Sequence, residues 1–152
     1  MTDPAKEALR LRELVSSLGN NLEGLERSLF AEAGICASDL AILKRLASKG
    51  SRPVNTLAPR VGLTSGSMTT AVQRLQRQGL VTTHRDHLDK RRVHVEITKR
   101  GKQQAKLVEQ KRGELLAPLL SDFTSRETKL LNGMLKKLRK NARHLGDGPR
   151  SA

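Results

Sequence analysis

Apolar residues along this chain recur at helical spacing almost everywhere, and at alternate positions in one short stretch. Leu11, Leu14, Val15, Leu18, Leu22, Leu25 and Leu29 follow near-heptad spacing, which predicts one long N-terminal helix weakened at Gly19 and Gly24. Met68, Ala71, Val72 and Leu75 stand at i, i+3, i+4 and i+7, the core-facing stripe of an amphipathic helix. Before that helix, Leu57–Val61 reads as a short apolar helix, joined to it by the tight turn Gly62-Leu63-Thr64-Ser65. Behind it, Val93, Val95 and Ile97 alternate with Arg92, His94 and Glu96, the period-2 pattern of a half-buried strand. Its partner is Val81–His84, and a charged loop from Arg85 to Arg91 connects the two. Thr98 suits the N-cap of a further long helix running to about residue 120 with Leu107, Val108, Leu115, Leu116 and Leu119, ended or kinked by Pro118. Thr124-Ser125-Arg126-Glu127 is a capping box. It opens a last helix whose stripe is Leu130, Leu131, Met134, Leu135 and Leu138.

Two helices joined by a tight turn, with a hairpin behind the second, predict a winged helix-turn-helix. The fold class expected is mainly α with a small β-hairpin, the winged helix-turn-helix domain being flanked by N- and C-terminal dimerisation helices. The boundaries are one domain over 1–152, with the winged part at about 37–100, dimerisation helices at 4–33 and 101–145, and a disordered tail at 146–152. The terminal helices have little of their own chain to bury against. Pairing with a second copy in an isologous dimer is expected to cover them, the alternative being packing on the winged domain.

The outer face of the second motif helix carries Gly66, Thr70, Gln73 and Arg77, flanked by Ser67, Thr69 and Arg74. Short hydroxyls with Gln and Arg are the side chains that reach base edges and phosphates. An ordinary surface helix has the same composition, so the hairpin behind it decides the reading. The basic loop tip, with Arg85, Lys90 and Arg91, is placed to enter a minor groove. Asp89, two residues from Arg91, is expected to fix its guanidinium by a charge-assisted hydrogen bond.

These residues resemble the MarR (multiple antibiotic resistance regulator) family. The resemblance rests on Leu57-Ala58, Gly62-Leu63-Thr64, Val72-Gln73-Arg74-Leu75, Gly79-Leu80-Val81, Asp86-His87-Leu88-Asp89-Lys90-Arg91 and Ile97-Thr98-Lys99-Arg100-Gly101. It covers roughly 37–102. The resemblance implies a homodimeric DNA-binding repressor or activator, often relieved by a small molecule or by oxidation. By position it makes Ser65, Ser67, Thr69, Thr70 and Arg74 helix contacts, with Asp89 and Arg91 at the wing tip. Two departures stand out: Thr83 replaces a strand Arg frequent in the family, leaving His84 or Arg85 for its phosphate contact, and Pro59 falls inside the first motif helix. With Asn55 as N-cap, that helix is expected to be short or distorted.

Charge agrees with a polyanionic partner. The chain of 152 residues carries a formal net charge of +14, and the excess is uneven. Residues 1–43 hold four basic and seven acidic side chains, a net of −3, and the rest holds 25 basic and eight acidic, a net of +17. Double-stranded DNA is thus the expected partner, together with a second copy of the chain. No apolar run approaches the about 18 residues of a membrane span and the first residues are mostly polar, so no membrane partner is expected. The single Cys36 suits a reducing cytoplasm.

Catalysis, cofactors and a metal site are not expected. No phosphate-cradling glycine loop or carboxylate pair beside a nucleophile is present. His84, His87 and His94 on the hairpin would need a fourth ligand to hold zinc. Cys36 is expected to be buried and structural, a redox-sensing regulator being the alternative. A low-specificity architectural DNA-binding protein is a second alternative. A small anionic or aromatic effector follows from the resemblance. However, only Phe30 and Phe123 are aromatic and both are expected in the core, so the pocket would be aliphatic or absent.

Overall fold

The computed structural model describes Asp3–Gly146, and the expected tail at 147–152 lies outside those residues. Helices α1 (Pro4–Ala33), α2 (Ala37–Lys49), α3 (Val54–Val61), α4 (Ser65–Arg77), α5 (Lys99–Leu116) and α6 (Ser125–Gly146) alternate with strands β1 (Arg52–Pro53), β2 (Val81–Arg85) and β3 (Val93–Ile97). The fold is a winged helix between terminal helices. The chain divides after Leu115 into two units. Gly146, expected to begin the tail, instead closes α6.

Local signals set most boundaries. Asp3 Oδ1 accepts the Ala5 N–H at 3.0 Å, and Pro4 occupies the first turn of α1, where its missing donor costs nothing. The helix stops at Gly34, whose φ of 66° is left-handed. Thr98 opens α5, its Oγ1 accepting the Gly101 N–H at 2.9 Å and donating to the Gly79 carbonyl at 2.8 Å. The expected run of α5 to about residue 120 ends earlier, at Leu116, and a 3-10 turn with Pro118 follows over Ala117–Leu120. Thr124 and Glu127 form the reciprocal cap: the Thr124 N–H donates to Glu127 Oε2 at 2.8 Å and the Glu127 N–H to Thr124 Oγ1 at 3.2 Å. The Thr124 amide holds the Glu127 carboxyl below its ordinary range.

One core gathers α2, α3, α4, β2, β3 and the first half of α5. Leu40, Ile42, Leu43, Leu46, Leu57, Met68, Leu75, Val81, Val95 and Val108 are almost wholly buried within it. The four residues of the α4 stripe all lie inside it. The sheet order is β1-β3-β2, antiparallel throughout, with Val81 opposite Ile97 and His84 opposite His94. The third strand is an addition to the expected hairpin. Its two residues, Arg52 and Pro53, pair with Val95 and His94, and a proline is tolerated there because the strand is at the edge.

Three expectations about packing are corrected. The N-cap of α3 is Pro53 rather than Asn55, so Pro59 lies well inside a helix of eight residues. That helix is short, as expected, and its missing amide removes a bond to the Asn55 carbonyl. The buried face of α5 is not its leucines but Gly101, Ala105 and Val108, while Leu107 and Leu115 are exposed. Phe123, expected in the core, is 45% exposed. In α1 the only buried residue is Glu26. Its carboxylate accepts from Arg112 Nε at 2.5 Å and Nη2 at 3.2 Å, and the same guanidinium lies 5.7 Å from the centre of the half-buried Phe30 ring.

Gly101 is a contact that only glycine allows. A Cβ there would overlap the Leu80 carbonyl oxygen and come within 2.8 Å of Ile97 Cγ1, whereas one at Gly113 on the same helix meets nothing within 4 Å. Gly101→Ala is therefore expected to destabilise the fold by about 1–3 kcal/mol through overpacking. Gly113→Ala should be neutral or stabilising by up to about 1 kcal/mol. Urea unfolding at one fixed protein concentration measures both, and equal effects at the two positions contradict this packing.

Candidate nucleic-acid interface

Thr64 caps α4, its Oγ1 accepting the Ser67 N–H at 3.2 Å. With Met68, Ala71, Val72 and Leu75 turned inward, the helix exposes Ser65, Ser67, Thr69, Thr70, Gln73 and Arg77. The Thr69 and Thr70 hydroxyls donate to the Ser65 and Gly66 carbonyls at 3.0 and 3.1 Å. Their protons are thus committed within the helix, and their oxygens face outward as acceptors. Gln73 keeps both donor and acceptor free for an incoming edge, its side chain forming no intramolecular hydrogen bond among the described residues.

Arg74 is used differently from its neighbours. Its Nε and Nη2 donate to the two oxygens of Asp39 at 3.1 and 2.6 Å, and Asp39 is completely buried. The same carboxylate accepts the Cys36 N–H at 3.0 Å, capping α2. The hydrogen bonds to Asp39 raise the Arg74 guanidinium above its ordinary range, against a smaller opposing effect of burial. The expectation of Arg74 as a free helix contact is therefore corrected: this side chain clamps α4 to the start of α2. Cys36 is also corrected. It is exposed rather than buried, with Sγ 3.0 Å from Ser38 Oγ and 3.6 Å from Arg74 Nη2.

The wing loop is built on two carboxylates. Asp86 Oδ1 accepts the Leu88 and Asp89 N–H groups at 2.8 and 3.3 Å, and Asp86 Oδ2 lies 3.0 Å from His94 Nε2. These contacts, the Leu88 amide first, hold the Asp86 carboxyl below its ordinary value of 3.8. A lowered folded value means the turn is supported above that pH and loses support only as pH falls through the lower folded one. At neutral pH Asp86 is thus ionised, the form that accepts these amides. Asp89 Oδ1 accepts the Arg91 backbone N–H at 3.0 Å, and the nearest guanidinium is that of Arg92, at 3.9 Å. The expected Asp89–Arg91 side-chain bond is corrected accordingly: Asp89 shapes the loop, and the Arg91 side chain projects free. Arg85, Lys90 and Arg91 are all exposed. His84 stacks on His94 with ring centres 5.4 Å apart.

Helix and wing enclose a groove of about 400 Å3. Ser65, Thr69 and Gln73 form one wall, Arg91 and Arg92 the other, and Val54, Val72 and Val93 supply apolar floor. Gln76 and Arg92 also line it, two residues that the sequence pattern does not single out. Gln76 accepts from Thr83 Oγ1 at 3.4 Å, so the position of the missing strand arginine ties the wing to the helix. Their one signal is adjacency: Gln76 is three residues from Gln73, and Arg92 follows Arg91.

The MarR family model matches residues 35–93, the segment from the start of the core to β3. The transcriptional regulator BldR from Sulfolobus solfataricus is 28% identical, with a TM-score of 0.77 over 91% of this chain and 99% of its own. The winged core of the chain is thus similar to that of the MarR family. An HTH-type transcriptional regulator of Bacillus subtilis, YkoM, is 26% identical over 114 residues, 75% of this chain and 74% of its own length. A MarR family protein from Bacillus stearothermophilus has the same fold, with a TM-score of 0.79, 24% identity, and coverage of 93% and 99%. The relatives YkoM and BldR are described as transcriptional regulators. Among the described residues no helix is long and apolar enough to cross a membrane.

The clamp has unequal partners, because Asp39 is sealed while the Arg74 side chain is 40% exposed. Arg74→Met strands a buried charge and is expected to cost about 3–5 kcal/mol. Asp39→Asn leaves a guanidinium that can turn to water, and should cost less than about 2 kcal/mol. Denaturant unfolding of both variants checks this, and an Asp39→Asn loss as large as that of Arg74→Met contradicts it.

Proposed function

We propose that this protein is a MarR-family transcriptional regulator that binds DNA as a homodimer on a pseudo-palindromic operator. Thr69, Thr70 and Gln73 of α4 read base edges in the major groove, Ser65, Ser67 and Arg77 meet its rims, and the wing tip lies in the neighbouring minor groove. There Lys90 and Arg91 neutralise phosphates or enter the groove, Arg85 meets the backbone, and Asp89 holds the loop in shape. Arg74 contributes by fixing the helix. The observation that carries the reading is the groove between α4 and the wing, with hydroxyls and an amide on one wall and guanidinium groups on the other. Amide and hydroxyl groups discriminate bases, whereas arginines attract phosphate and narrow minor grooves.

Dimerisation is supported by the apolar surface the single chain leaves open. Leu14, Leu18 and Leu25 of α1 are 61%, 52% and 46% exposed, and Leu130 and Met134 of α6 are 61% and 54% exposed. Contiguous apolar stripes of this kind are covered by a partner in soluble proteins. Two recognition helices related by a two-fold axis meet successive major grooves, so half-site centres lie about 34–36 Å apart. The 4–33 and 101–145 helices are then the dimerisation part, and 37–100 the reading head.

An effector site is supported by a hollow of about 540 Å3 between the end of α1 and the start of α2. Phe30 and Ile35 give it an apolar wall, and the guanidinium groups of Arg27 and Arg74 line it beside the carboxylates of Glu23 and Asp39. Phe30 packs against the core as expected and also lines this pocket, and a small aromatic acid is the ligand class that fits. An acid that draws Arg74 from Asp39 loosens α4, coupling ligand and DNA reciprocally. Salicylate titrated into an operator complex is expected to release DNA, and Arg27→Gln to raise the concentration required. Release that is indifferent to Arg27 contradicts this site.

The two reading elements separate by mutation. Gln73→Ala or Thr70→Ala should alter preference at particular base pairs by about 1–3 kcal/mol. Arg91→Ala should weaken binding broadly, reduce the salt slope by about 1 and blunt any A·T preference in the flanks. Binding measured on an operator and on random duplex, at several salt concentrations, checks both. A monomer at micromolar concentration, or equal affinity for operator and random duplex, contradicts the proposal and favours a low-specificity architectural protein.

A further inference from the structure

We infer that the outer face of α6 is a second phosphate-binding surface, and that its occupant is the backbone of duplex DNA. The helix carries Arg126, Lys129, Lys136, Lys137, Arg139, Lys140 and Arg143 against the single carboxylate Glu127, a net charge of +6 over Ser125–Gly146. The proposed α4–wing surface, Ser65–Ile97, carries six basic residues, the clamped Arg74 among them, and three acidic ones, a net of +3. α6 is therefore more basic than the α4–wing surface, over a shorter stretch of chain. All seven cations are exposed, and among the described residues none of them forms an ion pair.

The arrangement is two-faced. At about 100° per residue, Leu131, Met134, Leu135 and Leu138 share one side, and Lys129, Lys136, Lys140 and Arg143 lie opposite them. A face that serves only solubility mixes both signs. Here Lys136 and Lys140, and Arg139 and Arg143, stand at i and i+4 with like charge, which destabilises a helix. The favourable interaction of cations with the helix C-terminus reaches only the last turn, at Arg143 and His144. From Arg126 to Arg143 the cations extend over about 26 Å at 1.5 Å per residue. A duplex offers one phosphate charge per about 1.7 Å of axis, enough to engage several of them together.

A helix with this pattern also suits an anionic membrane surface, but that requires the apolar side to enter the lipid. The choice of DNA rests on the homodimer reading, in which a second copy occupies the apolar side and only the cations remain available. α6 then adds sequence-independent affinity, holding the regulator on DNA without taking part in base readout.

The test is salt-dependent binding of the full chain to a long random-sequence duplex. Replacing Lys136, Lys137, Arg139 and Lys140 by Gln together should reduce the log–log salt slope by about 3–4, at about 0.9 for each phosphate no longer neutralised. The operator-over-random preference should rise or stay, whereas failure of the α4 reading would appear as absence of that preference in the unaltered protein. Lys6, Arg10 and Arg12, replaced by Gln together, remove positive charge from α1 instead and should leave the slope nearly unchanged. The conservative set Lys136→Arg, Lys137→Arg and Lys140→Arg should retain it. Two double variants, K136Q/K140Q and K137Q/R139Q, are expected to lose about half the effect each and keep the test available if the fourfold variant does not dimerise. An unchanged slope, or equal flattening in the α1 control, overturns the inference. So does α6-dependent binding to phosphatidylserine vesicles accompanied by an unaltered DNA slope.

Discussion

The buried ion pair between Asp39 and Arg74 is the constraint on which the reading surface depends. The apolar stripe of α4 fixes its depth in the core and turns its polar face outward. Arg74 adds a directed tie to α2, because its two donors meet a carboxylate that is itself held by the Cys36 amide at the start of that helix. A bidentate bond fixes direction as well as distance. With Arg74 turned to one side, Thr70, Gln73 and Arg77 are held outward. The burial of Asp39 makes the arrangement nearly all-or-none, since a sealed carboxylate without its partner is far more costly than a missing surface ion pair.

The wing depends on a second close approach. Gly101 lets the start of α5 rest on the Leu80 carbonyl, and Thr98 ties the same turn to Gly79. β2 and β3 are thereby anchored at one end by the core and closed at the other by Asp86 and Asp89. The loop needs no apolar residue to keep its shape, so Lys90 and Arg91 can be given wholly to a partner. The terminal helices contrast with this economy. They bury little within one chain, and the one side chain of α1 that is buried is a carboxylate paired with Arg112.

Periodicity made the α4 stripe, the wing strands and the terminal helices legible, because each of those patterns is local. Met68, Ala71, Val72 and Leu75 are all buried as their spacing requires, and the Thr98 and Thr124 caps form as their side chains predict. What could not be read depended on contacts distant in the chain. Arg74 sits at the border between the inner and outer faces of α4, and only its partner 35 residues earlier decides its use. Asp89 lies near both Arg91 and Arg92, and spacing cannot choose between a side chain and a backbone amide. β1 has two residues, one of them proline, too few for any alternation. The inner face of α5 is small because another backbone lies against it, so its leucines misled.

The central claim is that a fixed α4 and its wing read a sequence twice, once from each protomer across a two-fold axis. Selection of bound molecules from a random duplex library tests it most directly. The account predicts an enriched inverted repeat with half-site centres about 10–10.5 base pairs apart, set by one turn of the duplex. Adenine–thymine pairs should accompany it where the Arg91 loops reach the minor groove. Recovery of sequences with no common motif, or of a single half-site without its symmetric mate, would contradict it.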